Sequence, residues 1–169
     1  MSDLIGSSFR ARLVCVTSGH TGWVAPFNGE RSLVLKGRQA PAAFFDFNYS
    51  GGDGRHFHYA ITAASNEKEY ADAAVEISAN GYVGFYPPAR TSTAWRLEVT
   101  VNGYAGTAMR FKLQDAEGRK VGVLNVPGAR KILMGGFYTV NRLPGNIAYL
   151  KVGHGASLEF EVTDVKRRD

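Results

Sequence analysis

The chain has 169 residues, 44% of them hydrophobic and 12% aromatic. That is long enough to close a hydrophobic core without covalent staples, and residues 1–169 read as a single domain. Cys15 is the only cysteine, which excludes an intrachain disulfide and points to a reducing compartment. The net charge of +5 permits a polyanionic partner, but the basic residues read as scattered. Their one run, Lys166-Arg167-Arg168, is expected to be a solvated tail, so nucleic acid is not indicated.

The opening residues, Met1 to Gly6, have neither a basic n-region nor an apolar h-region, so no conventional signal peptide is expected. No stretch approaches the roughly 18 apolar residues of a membrane-spanning helix. The expectation is a cytoplasmic protein, or one released without a conventional signal peptide. From Phe9 the pattern is two-residue alternation. Phe9, Ala11, Leu13 and Cys15 share one face and Arg10 and Arg12 the other. Asn28-Gly29 marks a turn, and Ser50-Gly51-Gly52-Asp53-Gly54 marks a hairpin connection. Phe57, Tyr59 and Ile61 then alternate with His56 and His58.

Residues 65–77 are open to two readings. Asn66 with Glu69 spells a capping box, with Tyr70, Ala73, Ala74 and Ile77 at helical spacing. A loop followed by a strand that turns Ala71, Ala73, Val75 and Ile77 inward fits equally, and is favoured by the resemblance described below. Asn80-Gly81, Asn102-Gly103 and Asp115-Ala116-Glu117-Gly118 are further turns. They separate runs in which Trp95, Leu97, Val99 and Val101, then Phe111 and Leu113, face in. Leu158, Phe160 and Val162 close the series. About ten such strands predict an all-β fold, with a two-sheet antiparallel β-sandwich as the expected architecture. One or two short helices are allowed, and a closed barrel is the other solution of the same pattern.

Few residues form chemical constellations. His56 and His58, two apart on a strand, project from one face as a pair of metal ligands would. Asp46, Asp53, His20 and His154 are candidates for a third, but no spacing selects among them, so no metal or other cofactor is expected. Cys15 reads as a small buried hydrophobe. Glu67 and Glu69, and Glu159 and Glu161, read as solvated carboxylates rather than a glycosidase pair. No nucleophile elbow, phosphate loop or dinucleotide fingerprint occurs, and no enzymatic activity is expected. The stretch Tyr82 to Arg90 gathers aromatics, two prolines and an arginine, with Trp95 close behind. It reads either as a presented aromatic surface or as a strand with Val83 and Phe85 in the core.

Three segments carry a family likeness. Ala43-Phe44-Phe45-Asp46-Phe47 runs through a glycine hairpin into Arg55-His56-Phe57-His58-Tyr59-Ala60-Ile61. Asn66-Glu67-Lys68-Glu69-Tyr70-Ala71-Asp72 follows, and later Phe111 to Arg119. Together they resemble the fungal fruit-body lectins and, more distantly, the actinoporins. The resemblance implies a β-sandwich that binds glycans or glycoconjugates through Asn66, Tyr70, Asp72 and Arg90, and Tyr86 of the aromatic stretch is expected to add a face on which a sugar ring can stack. Asn66 would sit at a galactose-type site, and Asp72 and Arg90 at an N-acetylglucosamine-type site. The chain departs from the lectins at Gly37 to Pro41, where they carry a Ser-Gly rich turn, and at Phe111, where they carry a tyrosine. A homo-oligomer is expected, since avidity makes weak sugar sites useful. The alternatives are an actinoporin-related protein that binds a membrane surface and a structural component of a phage virion or secretion assembly.

Overall fold

A computed structural model describes residues 4–27, 29–37, 42–87, 92–103, 107–134 and 137–168, with side chains described outside 128–145. The described residues form twelve strands, several of them joined by glycine turns: β1 Phe9–Cys15, β2 Gly22–Pro26, β3 Leu33–Lys36, β4 Phe44–Gly52, β5 Phe57–Ala63 and β6 Ala74–Ile77. They continue as β7 Val83–Tyr86, β8 Trp95–Asn102, β9 Met109–Gln114, β10 Val121–Met134, β11 Phe137–Val152 and β12 Glu159–Arg167. The only helical element among the described residues is one 3-10 turn, Lys68–Tyr70. The all-β expectation holds.

The division into two sheets does not. All twelve strands belong to one continuous sheet, and six of them close on themselves: β1 pairs β12, then β9, β8, β5 and β4 follow, and β4 returns to β1. The closure has a local cause. β1 gives one edge to two partners in turn, Phe9–Arg12 to β4 and Val14–Cys15 to β2. β5 does the same, with Phe57–Tyr59 on β8 and Thr62 on β6. Register shifts at Arg10/Arg12, Tyr49/Gly51 and Val99/Val101 add the local twist that closure needs. The remaining strands extend the ring as β2-β3-β11-β10 and β6-β7. Single bridges, Ser32 to Gly84 and Tyr82 to Lys151, bring β7 back against this extension.

The core fills the ring. Phe9, Phe47, Tyr59, Trp95, Phe111 and Phe160 are almost wholly buried, with Phe9 stacked on Phe47 at 4.7 Å between ring centres. Each such ring contributes roughly 1.5–3 kcal/mol by leaving water. Buried polar tips find partners: the Trp95 indole donates to the Val75 carbonyl at 2.9 Å, and the Tyr59 hydroxyl donates to the Ser7 carbonyl at 3.0 Å. A gap of about 20 Å³ among Leu13, Val24, Phe45, Phe160 and their neighbours has room for about one water, so this part of the interior is packed rather than a channel. Glycine is required where backbones meet. A Cβ at Gly84 would lie 2.6 Å from the Arg31 carbonyl oxygen, and one at Gly122 1.8 Å from that of His154.

Candidate functional site

The segment between β5 and β6 is the best-built loop among those carrying expected site residues. It leaves β5 with Ala64 N–H donating to the Phe44 carbonyl, and returns with Ala63 N–H donating to the Ala73 carbonyl. Between these ties lies the 3-10 turn. The capping box from Asn66 to Glu69 does not form: Glu67 precedes the turn and makes no side-chain cap. Its carboxylate instead accepts the Phe44 N–H at 2.7 Å, pinning the loop to β4. The loop-then-strand reading of 65–77 therefore holds, with Ala73, Ala74 and Val75 buried and Ala71 exposed. Asp72 takes φ = 62°, a left-handed conformation that Asp and Asn tolerate better than most residues.

Two cavities flank this loop. One, of about 360 Å³, has an apolar floor of Ala25, Pro26, Ala42 and Ala43, with Lys36, Glu67, Glu69 and Tyr70 around it. Tyr70 is anchored there by two contacts. Its hydroxyl donates to the Glu30 carbonyl at 2.9 Å, and its ring lies 5.2 Å from that of Phe85. Partial burial pushes the phenol pKa up, with Glu69 adding to the shift. The second cavity, of about 500 Å³, is lined by Asp46, Thr62, Ala63, Ser65, Ala71 and Asp72. Tyr70 and Asp72 thus lie two residues apart but line different cavities. Asn66 is exposed at the loop's outer turn and lines neither cavity.

Tyr86 ends β7 and is half-buried, its ring lying over Gly84; Arg90 falls outside the described residues. The aromatic stretch divides between core and surface. Val83 and Phe85 are core, as is Trp95. Tyr82 packs edge-on against Tyr149 at 5.6 Å, with the Lys151 ammonium 5.0 Å from the centre of the Tyr82 ring. Phe27 approaches Tyr149 from another side at 6.2 Å. Glu30 joins this cluster to the first cavity, since its backbone carbonyl holds Tyr70 and its carboxylate lies 3.4 Å from the Tyr149 hydroxyl.

The sequence reading missed the polar framework of the second cavity. Asp46, only 5% exposed, accepts both Nε (2.7 Å) and Nη2 (3.1 Å) of Arg10, and that Nη2 also donates to Ser65 Oγ at 3.1 Å. Arg168 approaches the same carboxylate at 3.6 Å and donates to Asn48 Oδ1 at 2.7 Å. The C-terminal basic run is therefore no free tail: Lys166 and Arg167 pair with Arg10 and Phe9 in the β1–β12 ladder. An Asp on the apolar-flanked strand Phe45-Asp46-Phe47, opposite an Arg on another strand, was the available signal. The two histidines likewise share a partner, since Asp53 Oδ2 lies 3.6 Å from His56 Nδ1 and 3.4 Å from His58 Nε2.

Among the described residues no group of three or more His, Cys, Asp or Glu side chains is arranged to hold a metal. No described helix is long and apolar enough to cross a membrane, which says nothing of strands. The likeness to the lectins rests on the short segments quoted above: no family model, no curated protein and no solved structure matches this chain.

Proposed function

We propose that this chain is a carbohydrate-binding module of lectin type, which recognises glycans through the loop between β5 and β6. The observation that carries the reading is the first cavity, where the fixed ring of Tyr70 stands beside Lys36, Glu67 and Glu69 over an apolar floor. Sugars present hydroxyls to charged donors and acceptors and a C–H face to an aromatic ring. A cavity of this size holds one or two pyranose rings. Because the loop is tied to β4 before any ligand arrives, little ordering entropy opposes binding. Asp72, with Arg10, Asp46 and Ser65 nearby, offers the second cavity as an extension subsite.

Titration calorimetry with galactose- and N-acetylglucosamine-terminated oligosaccharides tests this. Tyr70→Ala is expected to weaken binding about ten- to hundred-fold, the span of a lost stacking or charge-assisted contact. Asp72→Asn keeps the left-handed backbone and removes the charged acceptor, so it reports on the second cavity alone. Heats of binding that neither variant changes would remove the loop from the site.

A further inference from the structure

The positive charge of this protein is concentrated in one stretch of the sequence. From Gly118 to Leu158 there are six lysines and arginines and no acidic residue; the other 14 basic residues are set against all 15 acidic ones. The net charge thus resides in and beside the β10–β11 hairpin. The root of that hairpin is anchored: Ala148 and Tyr149 pair with Leu35 and Val34 of β3, Gly153 N–H donates to the Lys120 carbonyl, and Leu158 N–H donates to that of Val121. From Pro127 and Asn146 outward the two strands pair with each other and, among the described pairings, with no third strand. Six rungs of ladder from Ala129–Arg142 to Met134–Phe137 make an arm of about 20 Å at ~3.4 Å per residue.

The rungs are ordered by chemistry. The three outermost, Met134–Phe137, Leu133–Tyr138 and Ile132–Thr139, hold five apolar or aromatic residues and no charge. The next three, Lys131–Val140, Arg130–Asn141 and Ala129–Arg142, hold one cation each. Apolar rungs at the tip, with cations in the rungs about 10 to 17 Å behind the outermost one, match the depth profile of an anionic bilayer surface, where acyl chains lie beneath acidic headgroups. Three apolar rungs are too few to cross, since a spanning strand needs roughly nine to eleven residues. Strand addition along β10 is disfavoured by Pro127, which has no N–H to offer, and by the register shift between Pro127 and Ala129. Nucleic acid would place cations, not Leu, Met and Phe, at the point of contact.

We propose that the β10–β11 arm is a membrane-docking element that seats its apolar tip shallowly in an anionic lipid surface while Arg130, Lys131 and Arg142 engage the headgroups. This lies outside the glycan reading and does not depend on it. Each cation near an acidic surface contributes about five-fold in partitioning, about a hundred-fold for the three, and the effect falls as salt screens it.

The test is co-sedimentation of the full chain with phosphatidylcholine vesicles prepared with and without phosphatidylserine. Beside wild type are run a cation variant (Arg130→Gln, Lys131→Gln, Arg142→Gln), a tip variant (Leu133→Ser, Met134→Ser, Phe137→Ser) and Tyr70→Ala, each first shown to melt like wild type. Wild type and Tyr70→Ala are expected to bind the phosphatidylserine vesicles and to be released by salt. The cation variant is expected to bind about a hundred-fold more weakly, and the tip variant to lose binding as well. Wild type that ignores phosphatidylserine, or variants that bind as wild type does, would overturn the proposal. So would duplex DNA held by wild type and the tip variant but not the cation variant, which gives the arm to a polyanion. A wild-type oligomer that the tip variant dissolves, with no vesicle binding by either, gives it to a second copy.

Discussion

Asp53 shows how much one exposed side chain organises. Its Oδ1 accepts the backbone N–H groups of Arg55 (3.0 Å) and His56 (2.8 Å), closing the turn of the β4–β5 hairpin. Those two bonds, aided by His56 and His58, hold its pKa at about 2, below the ordinary 3.8. A folded-state pKa below the unfolded one adds stability that is fully present above about pH 4 and is lost as pH falls through about 2. Asp53→Asn retains the acceptor oxygen and removes the charge. It is expected to melt below wild type at neutral pH, with the difference vanishing as thermal scans approach pH 2; a difference that persists there would contradict the linkage. At this scale the sequence was partly legible. Alternation alone put Cys15 inside, where burial raises its thiol pKa. It did not reveal Asp46 or Asp115 as buried carboxylates. Asp46 meets Arg10 from 36 positions away, and Asp115 folds back on Arg119 at 2.7 Å across its own turn.

At the scale of elements, the loop between β5 and β6 depends on one carboxylate. Glu67 accepts the Phe44 N–H across 23 positions, satisfying a donor at the start of β4. Glu67→Ala leaves that N–H without its partner and is expected to cost about 1–3 kcal/mol in urea unfolding, while Glu67→Gln recovers most of the loss. Equal stability of the two variants would show that the tie does not hold the loop. Strand positions were legible because glycine turns bracket a two-residue period, as in the buried–intermediate alternation of β1. The capping box, the less favoured alternative for 65–77, does not form, and Glu67 bonds instead to β4, a tertiary contact that local sequence does not encode. The arm was overlooked for a different reason. Its cations fall as two short pairs, Arg119-Lys120 and Arg130-Lys131, and as the single residues Arg142 and Lys151, none of them a run, so only the absence of acidic residues from Gly118 to Leu158 betrays it.

For the whole molecule the decisive contact is between the chain's ends. β1 and β12 pair from Phe9–Arg167 to Cys15–Phe160, and without that ladder the ring stays open along β1 and β9. A chain truncated before Glu159 is expected to lose cooperative unfolding in urea, whereas a retained sharp transition would mean that β12 is an accessory to the core. Such long-range pairing also predicts slow folding. It explains why closure was not legible: the period of a strand gives its inward face but not its neighbour, and the same pattern serves a sandwich or a barrel. The loop site and the arm are separate elements of this one sheet, so each can be altered while the other is assayed. Glycan recognition by the loop between β5 and β6 is read out on a glycan microarray probed in parallel with wild type, Tyr70→Ala and Asp72→Asn. A coherent set of glycans bound by wild type and lost with Tyr70→Ala is the predicted result; a blank array for wild type, or a pattern indifferent to both substitutions, would contradict it.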